Sequence, residues 1–168
     1  MARILGIDPG SLVTGYGVID SEGQTLKYVA CGCVRTDGEE FTERLKIIYR
    51  GIGEIVQSYG PDEIAVERAF VHKNADSALK LGQARAAAIC GTLVKDVPLY
   101  EYSPREVKLS VVGNGGAGKE QVQHMVKVLL GLRGELQADS ADALAIALCH
   151  VQGRSLKLKL ERLAGGRR

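Results

Sequence analysis

The sequence predicts an α/β domain: a mixed five-stranded sheet flanked by helices. Three observations predict it. Three strand-like runs follow one another closely at the start. The apolar period then changes from two residues to three and four. Two further short apolar runs alternate with helical stretches. Closely spaced strands make an antiparallel meander, and strands separated by helices add to it in parallel.

Arg3 to Ile7 is an apolar run that stops at Asp8-Pro9-Gly10, a turn signal, and reads as the first strand. Thr14 to Asp20 alternates and ends at Ser21-Glu22-Gly23. Thr25 to Arg35 completes the meander. Phe41, Leu45, Ile48, Ile52 and Ile55 then recur at helical spacing, up to Tyr59-Gly60-Pro61. Gly51 and Gly53 weaken that helix by up to about 1 kcal/mol each. Glu63 to Val66 is a short, buried type of strand that closes on Glu67. Asn74 to Val94 is a second helix, in which the small residues Ala78, Gly82 and Ala86 recur every fourth position. Val97 to Tyr102 is the fifth strand, and Lys108 to Val112 fits neither period. Glu120 to Leu132 and Ser140 to Val151 are helical, with a glycine-rich loop, Gly113 to Gly118, ahead of them.

The chain has 168 residues, 45% hydrophobic and 25% charged, a soluble globular composition that excludes disordered and fibrous classes. Residues 1–151 form one domain. No apolar run reaches the roughly 18–20 residues of a membrane helix. The four residues between Arg3 and Asp8 are too few for a secretory core. A cytoplasmic protein is the expectation. The net charge of +2 hides an asymmetry: Arg154, Lys157, Lys159, Arg162, Arg167 and Arg168 face only Glu161 in the last stretch. Residues 152–168 are thus a basic tail, expected to be flexible. Cys31, Cys33, Cys90 and Cys149 lack metal-site spacing and read as reduced thiols. His72, His124 and His150 are scattered.

The chemistry lies in where acids fall. Asp8 ends one apolar strand and Glu67 ends another, while Asp139 and Asp142 bracket the start of the last apolar helix. Strand ends and helix starts are where α/β proteins place their sites. Asp139 and Asp142, three apart, share a helix face. Taken singly, each acid has an ordinary use: Asp139 as an N-cap, Asp142 in a first turn, Asp8 in a turn, Glu67 as a solvated strand end. Taken together, four carboxylates without a nitrogen or sulfur cluster favour Mg²⁺ or Mn²⁺.

Asp8-Pro9-Gly10 with Gly15-Tyr16-Gly17, Val66-Glu67-Arg68-Ala69-Phe70, Lys73-Asn74-Ala75-Asp76 through Leu81-Gly82-Gln83-Ala84-Arg85, and Gln137-Ala138-Asp139-Ser140-Ala141-Asp142-Ala143-Leu144-Ala145 occur in this order. In these motifs the chain resembles the RuvC family of Holliday-junction resolvases, up to about residue 151. The resemblance implies an RNase H-like fold and a two-metal nuclease site. Asp8, Glu67, Asp139 and Asp142 match the family's four catalytic, metal-holding acids. Some members carry His at the last position, so Asp142 makes this site all-carboxylate. Two Mg²⁺ per site, with Mn²⁺ as an alternative, would lie about 3.5–4 Å apart, where a pair of ions activates water and stabilises the leaving oxygen.

The resemblance further implies that Lys108 and Lys119 meet DNA phosphates and that Phe70 stacks on unpaired bases at the junction centre; Arg68, Lys73, Lys80 and Arg85 are equal candidates for lining the same DNA-facing side. It implies a homodimer whose two-fold symmetry matches the four-way junction, with Ala78, Gly82 and Ala86 as its contact. Packing of that stripe within its own domain is the equal alternative from sequence. Partners implied are four-way junction DNA and a branch-migration motor of RuvA and RuvB proteins, with no membrane.

The loop from Gly113 to Lys119 imitates a phosphate-binding P-loop, but Glu120 stands where Ser or Thr would bind Mg²⁺. Rival functions are an actin-like ATPase, which needs a second domain, a non-catalytic junction-binding module, and a nuclease for RNA–DNA hybrids.

Overall fold

The computed structural model describes residues 1–23, 25–36, 40–68 and 74–165, the side chains of 156–165 excepted. Strands β1 (Ala2–Asp8), β2 (Val13–Glu22) and β3 (Thr25–Arg35) lead into helix α1 (Phe41–Tyr59) and strand β4 (Glu63–Glu67). Helix α2 (Ala75–Thr92), strand β5 (Leu99–Tyr102) and helices α3 (Pro104–Val112), α4 (Lys119–Leu130) and α5 (Ala138–Gly165) follow. The sheet order is β3-β2-β1-β4-β5, antiparallel across the first three strands and parallel from β1 to β4 to β5. The mixed five-stranded sheet expected from the sequence is present.

The period of two along β1 sends Leu5 and Ile7 to one face and Ile4 to the other. Leu5, Ile7, Val18 and Val66 pack with Ile48 and Ile52 of α1 and Ala84 and Ala88 of α2. On the opposite face Ile4, Ile19 and Ala65 pack with α3, α4 and α5 through residues such as Val107, Val126, Leu144 and Leu148. The core is therefore two apolar layers with the sheet between them, each sealed by helices.

At two places the backbone of helix α5 lies directly on the backbone of the sheet. A Cβ on Gly6 would stand 2.1 Å from the Ala143 carbonyl oxygen, and one on Gly15 would stand 2.1 Å from that of Asp139. No side chain can occupy either place. These glycines of β1 and β2 let the start of α5 settle against the strand ends.

Three details differ from the sequence expectation. Lys108 to Val112 is the second half of α3, whose start is marked upstream. The Ser103 side chain accepts from the Glu106 amide, Glu106 reaches back to the Ser103 amide, and Pro104 opens the helix. Helix α5 continues past Val151 to Gly165; the added stretch is rich in Leu, Lys and Arg and has no proline. The close approach of α2 to α1 uses Gly91, where a Cβ would stand 2.5 Å from the Tyr49 carbonyl. Ala84 and Ala88 are buried, whereas Gly82 and Ala86 are exposed, Ala78 is half-buried, and nothing lies within 4 Å of a Cβ on Gly82.

Candidate active site

Asp8 and Glu67 are the last residues of the neighbouring parallel strands β1 and β4, one step beyond the paired residues Ile7 and Val66. By the alternation of the pleat, Asp8 points to the same face as Ile4 and Glu67 to the same face as Ala65, the face covered by α5. Asp139 and Asp142 stand in the opening turns of α5, whose backbone rests on Gly15, the β2 residue paired with Asp8. All four acids are half-buried.

Their electrostatics show the convergence. Burial raises the Asp8 carboxyl to about 8, and the charges of Glu67, Asp142 and Asp139 push in the same direction. A hydrogen bond joins Asp8 to Glu67 and favours the protonated form of Asp8. Glu67 is also raised, first by burial, while the hydrogen bond from Asp8 and the charges of Lys108 and Lys119 pull it down. Lys119, the first residue of α4, places its Nζ 2.8 Å from Oδ2 of Asp142. That contact is the main reason its pKa is raised.

A cavity of about 180 Å³ opens beside the acids, walled by Glu67, Asp142, Lys108 and Lys119 over Val107 and Ile146. Both sequence-predicted lysines thus border the predicted acids. Phe70 and Lys73 lie outside the described residues. Lys80 pairs with Asp76 at 2.7 Å, and Arg85 turns away from solvent towards Glu101 and the Glu67 carbonyl.

The donor set fits a hard divalent cation. Four carboxylates held this close need positive charge, and oxygen is the ligand Mg²⁺ and Mn²⁺ prefer. As they stand, the acids are paired off, Asp8 with Glu67 and Asp142 with Lys119. Among the described residues, no three acid, His or Cys side chains are already spaced around one ion.

A family model described as crossover junction endodeoxyribonuclease RuvC matches residues 4–150. The chain belongs to the RuvC family. A RuvC of Methylococcus capsulatus is 53% identical over 163 residues, covering 97% of this chain and 98% of that protein. One from Edwardsiella ictaluri is 53% identical, covering 97% and 95%. Among solved structures, Thermus thermophilus RuvC in complex with a Holliday junction substrate superposes with a TM-score of 0.87 at 33% identity, covering 94% of this chain and 97% of that one. The yeast mitochondrial resolvase Ydc2 superposes at 0.63 with 17% identity, covering 88% of this chain and 77% of that one, which shows the fold alone. RuvC membership makes the chain a metal-dependent endodeoxyribonuclease with the RNase H-like fold. The glycine-rich loop ahead of Lys119 joins α3 to α4, so it lacks the preceding strand of a nucleotide-binding loop. Among the described residues, no helix is long and apolar enough to cross a membrane.

Sequence reasoning missed several neighbours of the RuvC acids. Gln137 Oε1 lies 3.4 Å from the Cys33 sulfur and 3.5 Å from Nη2 of Arg35, and the Cys33 sulfur lies 3.4 Å from the buried Ser140 hydroxyl. The signal lay in the register that sets Cys33 opposite Gly15, and Gly15 opposite Asp8.

Proposed function

We propose that this chain resolves four-way DNA junctions by nicking two strands symmetrically, with Asp8, Glu67, Asp139 and Asp142 as the catalytic, metal-holding acids. The carrying observation is that strand ends of β1 and β4 and the start of α5 bring these half-buried acids into one site, where burial and the charges of the other three raise Asp8, and burial and Asp142 raise Glu67. Two Mg²⁺ ions, or Mn²⁺, supply charge neutralisation and activation of water when bound. The chain's own part is to orient and neutralise. Asp8, in its carboxylate form, and Glu67, beside it at the end of β4, would hold the cations together with Asp139 and Asp142. Asp142 is released from Lys119 when that lysine turns to a phosphate. Lys108 flanks the same cavity and binds the strand as a point charge.

Two nicks on a nearly two-fold substrate call for two sites related by two-fold symmetry. The uncovered face of α2, with Gly82 open, Ala86 exposed and Leu79 67% exposed, supports a homodimer contact through Ala78, Gly82 and Ala86. Phe70 stacks on unpaired bases at the crossover, by resemblance, and Lys73, near it in the sequence, contacts the backbone. Working partners by resemblance are RuvA and RuvB proteins, in the cytoplasm. Residues 1–151 carry the nuclease, and the basic stretch 152–168 lies outside it.

The test is cleavage of a synthetic four-way junction beside linear duplex and an RNA–DNA hybrid, with Mg²⁺ and with EDTA. Paired symmetric nicks on the junction alone, only with Mg²⁺, are expected. Preferred cutting of the hybrid would replace this reading with a hybrid nuclease, and binding without cutting would make the chain a junction-binding module.

A further inference from the structure

We propose that Arg85 is a positioning residue that fixes Glu67 from behind the sheet. The proposal rests on the reading of Glu67 as a cation ligand. Arg85 extends from α2 to the ends of β4 and β5. Its Nε donates to the Glu67 carbonyl oxygen at 3.0 Å. Its Nη2 pairs with the Glu101 carboxylate of β5. The side chain is 19% exposed, so most of it is withdrawn from water.

Three physical points separate this from an ordinary surface ion pair. First, the sides differ. Glu101 is paired with Val66, which faces the α1 and α2 layer, whereas the Glu67 carboxyl faces α5 and lines the cavity with Asp142. Arg85 therefore reaches Glu67 only through its main chain. Second, β4 and β5 both end here: Glu67 is paired with Tyr102, and the next amide, Arg68, donates to the Tyr102 carbonyl at 2.8 Å. The Glu67–Arg68 peptide is thus tied to β5 by its amide and to Arg85 by its carbonyl, with no further strand bond beyond it in β4. A guanidinium on its carbonyl holds ψ and with it the aim of the side chain. Third, the Arg85 charge is balanced by Glu101. The contact orients Glu67 without adding net positive charge behind a site that must attract cations. Arg85 also lies on the same helix as Gly82 and Ala86, so the seating of α2 bears on the aim of Glu67.

The full-length protein tests this in three variants: Arg85→Gln, Arg85→Lys and Glu101→Gln. In cation-free protein, amide hydrogen exchange at Arg68 should speed up in Arg85→Gln. Calorimetry without DNA should show Mn²⁺ binding weakened about tenfold, the usual scale for losing a support of a metal ligand. The Mg²⁺ concentration for half-maximal junction cleavage should rise by a similar factor, while junction binding in EDTA and the melting temperature stay near wild type. Arg85→Lys, which keeps one donor, should recover part of the Mn²⁺ affinity. Glu101→Gln should weaken Mn²⁺ binding less than Arg85→Gln. Wild-type Mn²⁺ binding in Arg85→Gln would overturn the proposal. So would a tenfold loss of junction binding with unchanged Mn²⁺ binding, which would make Arg85 a DNA contact. If the wild-type chain cuts no junction yet Arg85→Gln still weakens Mn²⁺ binding, the positioning role stands and the junction reading falls.

Discussion

Asp139 crosses Gly15 at van der Waals contact: the Asp139 carbonyl oxygen occupies the space where a side chain on residue 15 would begin. Gly15 is opposite Asp8 in the β1–β2 ladder, so one glycine sets the height of an α5 acid above a β1 acid. Gly15→Ala should lift the start of α5. Backbone cannot give way as a flexible side chain does, and overpacking of this kind costs roughly 1–3 kcal/mol. A melting temperature lower by several degrees and loss of cleavage are expected. Wild-type melting and cleavage would show that α5 is not held there.

Asp8 makes cation-free stability depend on pH. Its folded pKa of about 8 lies above the ordinary 3.8, so the folded chain binds the additional proton between those values. Its contribution is fully present below about pH 4 and is lost as pH rises through about 8. Asp8→Asn removes the titration and should melt several degrees above wild type at pH 9 in EDTA, with the advantage gone near pH 4. The same variant should bind junctions and leave them uncut at any Mg²⁺ concentration. Equal melting at pH 9 would mean that Asp8 ionises there without strain.

Lys119 and Lys108 should act on DNA far more than on folding. The Lys119–Asp142 pair is exposed on the lysine side, 57% for Lys119, and such pairs are worth about 0–1 kcal/mol. Lys119→Gln should therefore leave the melting temperature nearly unchanged. Junction affinity should fall, and the slope of log affinity against log salt should become shallower by roughly 0.9 for each phosphate that is no longer neutralised. Lys108→Gln should behave alike. An unchanged salt slope in both would remove these lysines from the DNA interface.

Gly82→Glu puts a charge on the open face of α2 without a clash inside the domain, since nothing lies within 4 Å of the added Cβ. Sedimentation should report monomers, and cleavage should lose its pairing while single nicks persist. A dimer that survives the change would move the interface to another surface.

On the stacking role proposed for it, Phe70→Ala should retain some junction binding, weakened by up to the about 1–3 kcal/mol of one base–aromatic stack, and lose efficient cutting. Unchanged turnover on a mobile junction would end the stacking role.

Period and punctuation made most elements legible. The 3.6 spacing of Ile48, Ile52 and Ile55 and the turn after Ile7 needed no tertiary knowledge. Lys108 to Val112 was not legible alone, because five residues span barely more than one turn; its start lies upstream at the Ser103–Glu106 cap. The small-residue stripe of α2 was legible as a pattern, but which small residues face α1 depends on where that helix sits. It is Gly91, with Ala84 and Ala88 beneath, that the domain itself uses.

By itself the sequence determined which residues are acids and which end strands or begin a helix. It also carried the order of motifs that marks the family. Those properties are local, set by side-chain chemistry and by periods of two and 3.6. Only the tertiary structure decided that Asp8, Glu67, Asp139 and Asp142 share one field, that Lys119 reaches Asp142, and that Arg85 holds Glu67 from the far face. Each of these joins residues far apart in the chain. Such distances are set by strand pairing and by the glycines beneath α5, and a spacing along the chain carries no measure of them.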